Sequence, residues 1–467
     1  MRRQWRVGTL SMGLLLIALG VIMLVSQILE ISLLDQILKW WPIALIMIGL
    51  EILIYVFLSK QDEPKVKFDV FSIIIISILL MASVGVYAVT GLISSGNGVL
   101  IVDSMFDNFK NESIFTRNYE VDVSSSNLVI DNVFGNINVT KGDVEKIEVE
   151  ANITIRNNDE NYASEIADSL VVISNDKDIK IKTDSRKYSN KGKIGSIRID
   201  YTIKVPDTVN VEADNQYGDV LFTDLALSGK VNNKNGKVTV ESLGGDLVVD
   251  CSYGDIEVRD IKGEAEVYSK NGDIIANNCG KNIKIEGAYG DIEIDGIKGF
   301  ASISNTNGVT RGSKIDGDVT VASKYGDVIL TDIFGSVDVN DSNGEVSISN
   351  VGGNIKVNSA YGDTKVLNAS RGIELNVTNG DITVETDKVI SQDVNIKSKY
   401  GGILLKLPAA QSGYFEANTQ YGDIENEFGF EVKKDGNINS MIGTLTDEKI
   451  KFNLNSSNGD INIKKID

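Results

Sequence analysis

Histidine is absent from all 467 residues. That removes the commonest metal ligand and the commonest general base, so triad hydrolases and most zinc chemistries have no starting residue. Basic runs are missing too, and the formal net charge is −19. Phosphate binding relies on clustered Lys and Arg, so nucleic acid is not expected as a partner. Proline occurs four times against 44 glycines, which implies many similar tight turns made with glycine rather than with rigid rings. Cysteine occurs twice. Cys251 and Cys279 fall at different positions of the repeat described below, so they read as a small residue near a turn and a small buried one, not as a disulfide.

Long apolar runs, by contrast, are present and confined to one end. Three stretches, at about 7–29, 41–58 and 71–93, approach the ~20 residues needed to cross a bilayer as helices. No small-residue cleavage site ends the first, and two more follow, so it is not read as a removable signal peptide. Arg2, Arg3 and Arg6 precede the first span, and Lys60, Lys65 and Lys67 lie between the second and third. The loop between the first two offers only Lys39. By the positive-inside rule the N-terminus is cytoplasmic, and everything after about residue 94 lies outside the plasma membrane. Trp40, Trp41 and Tyr55 sit near the expected interfaces. Glu51 falls inside the second span, where a charge costs about 2.5–3.5 kcal/mol, so it is expected to face a neighbouring helix or to be protonated. It is a candidate intramembrane contact, although a plain hydrogen bond between helices would also explain it.

The segment 95–206 is β-rich and not repetitive. Apolar–polar alternation marks strands at 144–155, 177–183 and 196–205. Ala163, Ile166, Ala167 and Leu170 fall on one face of a short helix. Residues 184–196 read as an exposed loop. The segment is expected to cap the repeat that follows, because stacked repeats need their open ends closed.

From 207 to 388 the chain is periodic. Glycines at 218, 236, 254, 272, 290, 308, 326, 344, 362 and 380 recur every 18 residues without insertion. The residue before each alternates strictly between Tyr and Asn: Tyr217, Tyr253, Tyr289, Tyr325 and Tyr361 interleave with Asn235, Asn271, Asn307, Asn343 and Asn379. A second turn follows nine residues on, at Gly245, Gly263, Gly299, Gly317, Gly335 and Gly353. Each half-repeat is then one short strand plus a turn, with two inward side chains such as Ile256 and Val258, or Ala265 and Val267 opposite. Such a strand cannot stand alone; stacking coils at ~4.8 Å pairs its backbone and joins the small cores. The fold class expected is an all-β parallel β-solenoid, a single-chain β-helix, preceded by three transmembrane α-helices. A 36-residue coil would give unbroken Tyr and Asn ladders, but four strands with two inward residues each would not fill it, so 18 residues per coil is preferred. Ten coils give a rod roughly 45–50 Å long. Residues 389–467 are irregular coils and a C-terminal cap, with Tyr400-Gly401, Tyr421-Gly422 and Asn458-Gly459 spaced 21 and then 37 residues apart.

Aspartate follows the turn glycine at Asp219, Asp255, Asp273, Asp291, Asp327, Asp363 and Asp381, among others. A calcium ladder is one reading, since Ca²⁺ takes several oxygen ligands. The known nonapeptide pattern has more glycines than the [YN]-G-D seen here, and an Asp bonded to its own turn backbone is the simpler account. The tyrosines could form a surface stripe for sugar rings or merely cover a corner of the core. No irregular cluster of acids and bases interrupts the repeat, so no catalytic residue, metal or cofactor is assigned and an enzyme is not expected.

The stretches SEIADSLVVISNDKDIKIKT, IDYTIKVPDTVNVEADNQYGDV and MIGTLTDEKIKFNLNSSNGDINIKK, with the [YN]-G-D repeats between, resemble the bacterial adhesin-type family of domains of unknown function over about residues 118–467. That resemblance implies a single-chain β-helix. GLLLIALGVIMLV and WWPIALIMIGLEIL resemble the membrane region of LiaI/LiaF-type envelope-stress proteins. Together they imply a non-catalytic, adhesin-like module at the bacterial cell envelope, with the lipid bilayer and an envelope protein or polysaccharide as partners. The alternative is a membrane-embedded regulator of envelope stress that signals through partner helices.

Overall fold

The computed structural model describes residues 109, 111–185, 187–188 and 193–466. The three apolar stretches, Glu51 and the orientation inferred from basic residues lie outside them. Among the described residues, no helix is long and apolar enough to cross a membrane.

Every strand of the repeat pairs in parallel with its equivalent 18 residues on. Val211 stands beside Gly229, Gly229 beside Leu247 and Leu247 beside Ala265 on one sheet; Val238 stands beside Ile256 and Ile256 beside Ile274 on the other. The coil is therefore 18 residues long, with one strand in each of two facing sheets, and the 36-residue alternative is excluded. Eleven consecutive strand pairs run from β8 (Asn210–Tyr217) and β9 (Val220–Leu225) to β28 (Val394–Tyr400) and β29 (Ile403–Pro408).

Each coil buries more than the two side chains per strand expected from alternation. In β12 (Leu247–Tyr253) Leu247, Val249 and Cys251 point inward, and in β13 (Ile256–Ile261) Ile256, Val258 and Ile261 do. The sixth is possible because Asp260 adopts the left-handed conformation (φ 55°). Two consecutive outward residues, Arg259 and Asp260, then precede Ile261, and the strand bends inward as at a bulge. The same column holds Asp224, Ser242, Asn278, Gly296, Lys314, Asp332, Asn350 and Asn368, all at positive φ. Asn and Asp tolerate that region better than most residues.

The turn glycines serve two purposes. Gly290 has φ 138°, and a Cβ there would lie 2.3 Å from the carbonyl oxygen of Gly272 one coil away. At the second turn, Gly317 keeps an ordinary φ but would place a Cβ 2.4 Å from the Gly299 oxygen. One corner thus needs glycine for conformation and proximity, the other for proximity alone.

The repeat also starts earlier than the sequence suggests. β2 (Asn127–Phe134) and β3 (Ile137–Lys141) pair directly with β8 and β9 and form the first coil. The chain then leaves to build the cap: β1 (Asn111–Val121), β4 (Ile147–Asn157) and β7 (Ile194–Val205) extend one sheet with antiparallel pairing between them, and β5 (Val171–Asn175) with β6 (Ile179–Thr183) extends the other. Helix α1 (Glu160–Ala167), capped by the Asp159 carboxylate accepting from the Tyr162 amide, buries Ala163, Ile166 and Ala167 against β1 and β4. Leu170 is buried as expected. The loop from 184 is shorter than expected, since β7 opens at Ile194, and Tyr188 within it is buried, its hydroxyl 2.7 Å from that of Ser169.

At the other end, sequence order and spatial order part. β34 (Lys451–Asn458) and β35 (Ile461–Ile466) insert between the coil ending at Pro408 and the one formed by β30 (Gly413–Thr419) and β31 (Ile424–Asn426). β33 (Ile438–Leu445) and β32 (Val432–Asp435) close the stack by antiparallel pairing on β30. Phe415 and Phe452 stack at 4.3 Å inside, with Phe428 and Phe430 over them. Fourteen coils in all give a stack of about 62 Å at ~4.8 Å per step, longer than the ten-coil estimate.

Candidate binding surface

Three columns of side chains meet at the corner carrying Tyr or Asn, then Gly, then Asp. The first lies inside it. At the third inward position of the first strand, Asn233 donates through Nδ2 to the carbonyls of Gly218 (3.1 Å) and Gly236 (3.0 Å). Asn215 and Asn305 do the same, while Ser269, Ser323 and Ser456 each donate to one glycine carbonyl. A buried donor here satisfies the turn oxygens of successive coils, which would otherwise be costly to bury. Cys251 fills the slot with its thiol 3.6 Å from both carbonyl oxygens, and burial pushes its pKa up to about 11. Cys279 lies in the opposite sheet, where burial pushes it up to about 12. Both thiols are free.

The second column is the aspartates. Asp255 accepts the Asp273 amide at 3.0 Å, Asp273 the Asp291 amide at 2.8 Å, and Asp291 the Val309 amide at 2.8 Å. Asp219, Asp327, Asp363 and Asp381 repeat the bond. Each carboxylate therefore ties its coil to the next, 18 or 21 residues on, rather than bonding its own turn as the sequence reading supposed. Among the described residues, no group of three or more Cys, Asp or Glu side chains could hold a metal ion. The second corner carries an equivalent ladder, in which Asp246, Asn282, Asp318 and Asn354 accept the amides of Glu264, Phe300, Ser336 and Gly372.

The third column, the Tyr and Asn residues, is outermost. Each Asn returns its Nδ2 to a carbonyl in the coil beneath, as Asn271 does to Ser252 and Asn307 to Ala288. Tyr253, Tyr289, Tyr325 and Tyr361 are 54–59% exposed. Tyr217 is not; its hydroxyl is buried and unpartnered, and it stands beside Phe134. The stripe continues where sequence reading did not follow it. Tyr400 pairs with Asn379 and with Asn458, and Tyr421 follows at the same register, its amide bonding the Ser457 carbonyl at 3.0 Å. The dipeptides were visible in the sequence, but their stacking order was not.

A shallow groove of about 920 Å³ runs along the second corner, lined among others by Lys298, Lys314, Asp316, Phe334 and Lys388. Phe334 is 71% exposed there, in a turn column that elsewhere holds Gly or Lys. Lys298 pairs with Asp316 at 3.0 Å and Lys314 with Asp295 at 3.2 Å, so two of its three cations are neutralised.

Comparison with known proteins now bears on this surface. Residues 314–464 match the Toastrack DUF4097 family model. The match is shorter than the resemblance read from sequence, yet it spans the late coils, the permuted strand pair and most of the C-terminal cap. Residues 11–102 match the LiaF transmembrane domain, which marks a membrane protein. Solved structures similar to the chain include a candidate cell-adhesion protein from Clostridium sporogenes (13% identity, 76% of this chain and 100% of that one, TM-score 0.18). Candidate adhesins from Parabacteroides merdae (12%, 53% and 96%, TM-score 0.22) and Bacteroides fragilis (17%, 76% and 97%, TM-score 0.17) are similar too. No curated protein matches the chain. The Toastrack solenoid and the LiaF-type region together fit a membrane-associated envelope module.

Proposed function

We propose that the chain is a membrane-anchored binding module of the bacterial cell envelope, non-catalytic and adhesin-like, with its Toastrack solenoid outside the plasma membrane. In this reading residues 1–94 cross the bilayer three times from a cytoplasmic N-terminus, and the solenoid meets an envelope protein or polysaccharide. The observation that carries it is the use made of the polar side chains. Those that recur at the turns are spent on bonds between coils, and what remains exposed is a regular surface rather than a unique constellation. Regular surfaces suit extended ligands, because each coil offers the same contact. The test is co-sedimentation of the full chain, in detergent micelles, with purified bacterial cell walls and with protein-free wall polysaccharide. Retention by either supports a binding module, and retention by neither contradicts it.

The LiaF transmembrane match favours one second reading, a regulator of envelope stress acting through partner helices. Glu51→Gln would then abolish stress-gene induction. Unchanged induction would remove that reading.

A further inference from the structure

This inference rests on the binding reading above and names the ligand class. We propose that the exposed tyrosine stripe is a platform for an extended, uncharged β-linked glycan, with one ring meeting every second sugar.

Exposure is the first reason. Tyr253, Tyr289, Tyr325, Tyr361, Tyr400 and Tyr421 are 49–59% exposed in a molecule whose aliphatic core is almost wholly shielded. The intervening asparagines already close the corner by bonding the coil beneath. Closing the corner therefore does not require the tyrosines.

The second reason is that alternation survives a change of chain order. A duplicated 36-residue unit would account for Tyr217 to Asn379. It does not account for the end of the stack, where the coil bearing Asn458 comes from 58 residues beyond its neighbour and the coil bearing Tyr421 lies 37 residues before it. In space the order is still Tyr400, Asn458, Tyr421. The two-coil spacing is a property of the surface, not a residue of copying.

Chemistry gives the third. Rings two coils apart are ~9.6 Å apart along the stack, and the six span ~48 Å. That step is close to the length of an extended disaccharide, and an aromatic face suits the apolar C–H face of a sugar. Asp255, Asp291, Asp327 and Asp363 lie two residues after exposed tyrosines. Each commits Oδ1 to the next coil, leaving Oδ2 to accept from hydroxyls, Asp291 sharing its own with Arg311. A row of carboxylates beside the rings repels polyanions, so an uncharged glycan is the fitting ligand.

The test titrates the full chain in detergent micelles with chitobiose, chitotetraose and chitohexaose, and with hyaluronan as a β-linked polyanion. Affinity is expected to rise with each added disaccharide, with hyaluronan weaker than chitohexaose. Tyr289→Ala and Tyr325→Ala should each weaken chitohexaose binding roughly threefold to tenfold at unchanged melting temperature, and Asn307→Ala should not. If an alanine variant melts early, Tyr289→Leu keeps apolar bulk without the ring and should weaken binding equally. Absence of oligosaccharide binding, wild-type affinity in the tyrosine variants, or equal affinity for hyaluronan would each overturn the proposal. Cell-wall co-sedimentation of the same variants separates the two claims. Walls retained equally by wild type and variants would leave a binding module without a tyrosine platform; walls retained by neither would remove both.

Discussion

The slot that bridges the turn carbonyls is filled by Asn, Ser or Cys in most coils, and by Asp341 in one. Asp341 is 6% exposed and neither carboxylate oxygen has a hydrogen-bond partner. Burial pushes its pKa up to about 6, and the nearby Ser323 hydroxyl and Ser342 amide offset only part of the shift without well-formed bonds. A carboxylate facing carbonyl oxygens is repelled, whereas a carboxylic acid can donate as asparagine does. The folded state therefore holds a proton that the unfolded chain releases near pH 4. The stabilisation is full below pH 4 and is lost as pH rises through about 6. Asp341→Asn, with its amide placed to donate as Asn305 does, should raise stability at pH 7 by on the order of 2 kcal/mol. Urea midpoints of the two proteins should converge as pH falls to 4; a constant difference would contradict the assignment. Gly290→Ala should cost about 2–3 kcal/mol at any pH in the same assay, since it meets both a positive φ and a backbone oxygen.

At the scale of elements, the repeat was legible and its interior was not. Turn glycines at a fixed interval announced strands and corners, and the face Ala163, Ile166, Ala167 and Leu170 announced the helix. Counting every second residue stopped at Val258, however, because the left-handed Asp260 shifts Ile261 from the outer face to the inner one. The ladder bonds were invisible because they join residues of different coils. Phe134-Gly135-Asn136 imitates Tyr-Gly-Asp, and Asn136 accepts the Asp219 amide at 3.0 Å, but 83 residues separate the pair. The permuted C-terminal coils hid for the same reason. They hold the end of the stack through Phe452, which stacks on Phe415. Phe452→Ala should cost about 3–5 kcal/mol locally. Coils in a solenoid depend on their neighbours, so loosening should spread from that end and fade inward. Hydrogen exchange should accelerate across 394–466 and stay unchanged across 247–297. Uniform acceleration would mean that the solenoid unfolds as one unit.

For the whole molecule, composition excluded histidine chemistry and nucleic acid, periodicity gave the rod, and basic residues gave an orientation. The ligand surface was half legible, as a tyrosine period whose continuation through Tyr400 and Tyr421 needed three dimensions. The central claim is that a LiaF-type membrane region holds a Toastrack solenoid outside the plasma membrane, and the buried thiols make it testable. Cys251 and Cys279 are shielded and held as thiols by burial, so they are poor maleimide targets. Lys281→Cys places one reactive thiol on an exposed turn. With a membrane-impermeant maleimide, wall-stripped intact cells should label this variant fully and wild type hardly at all. Labelling that appears only after lysis would put the solenoid in the cytoplasm and contradict the account.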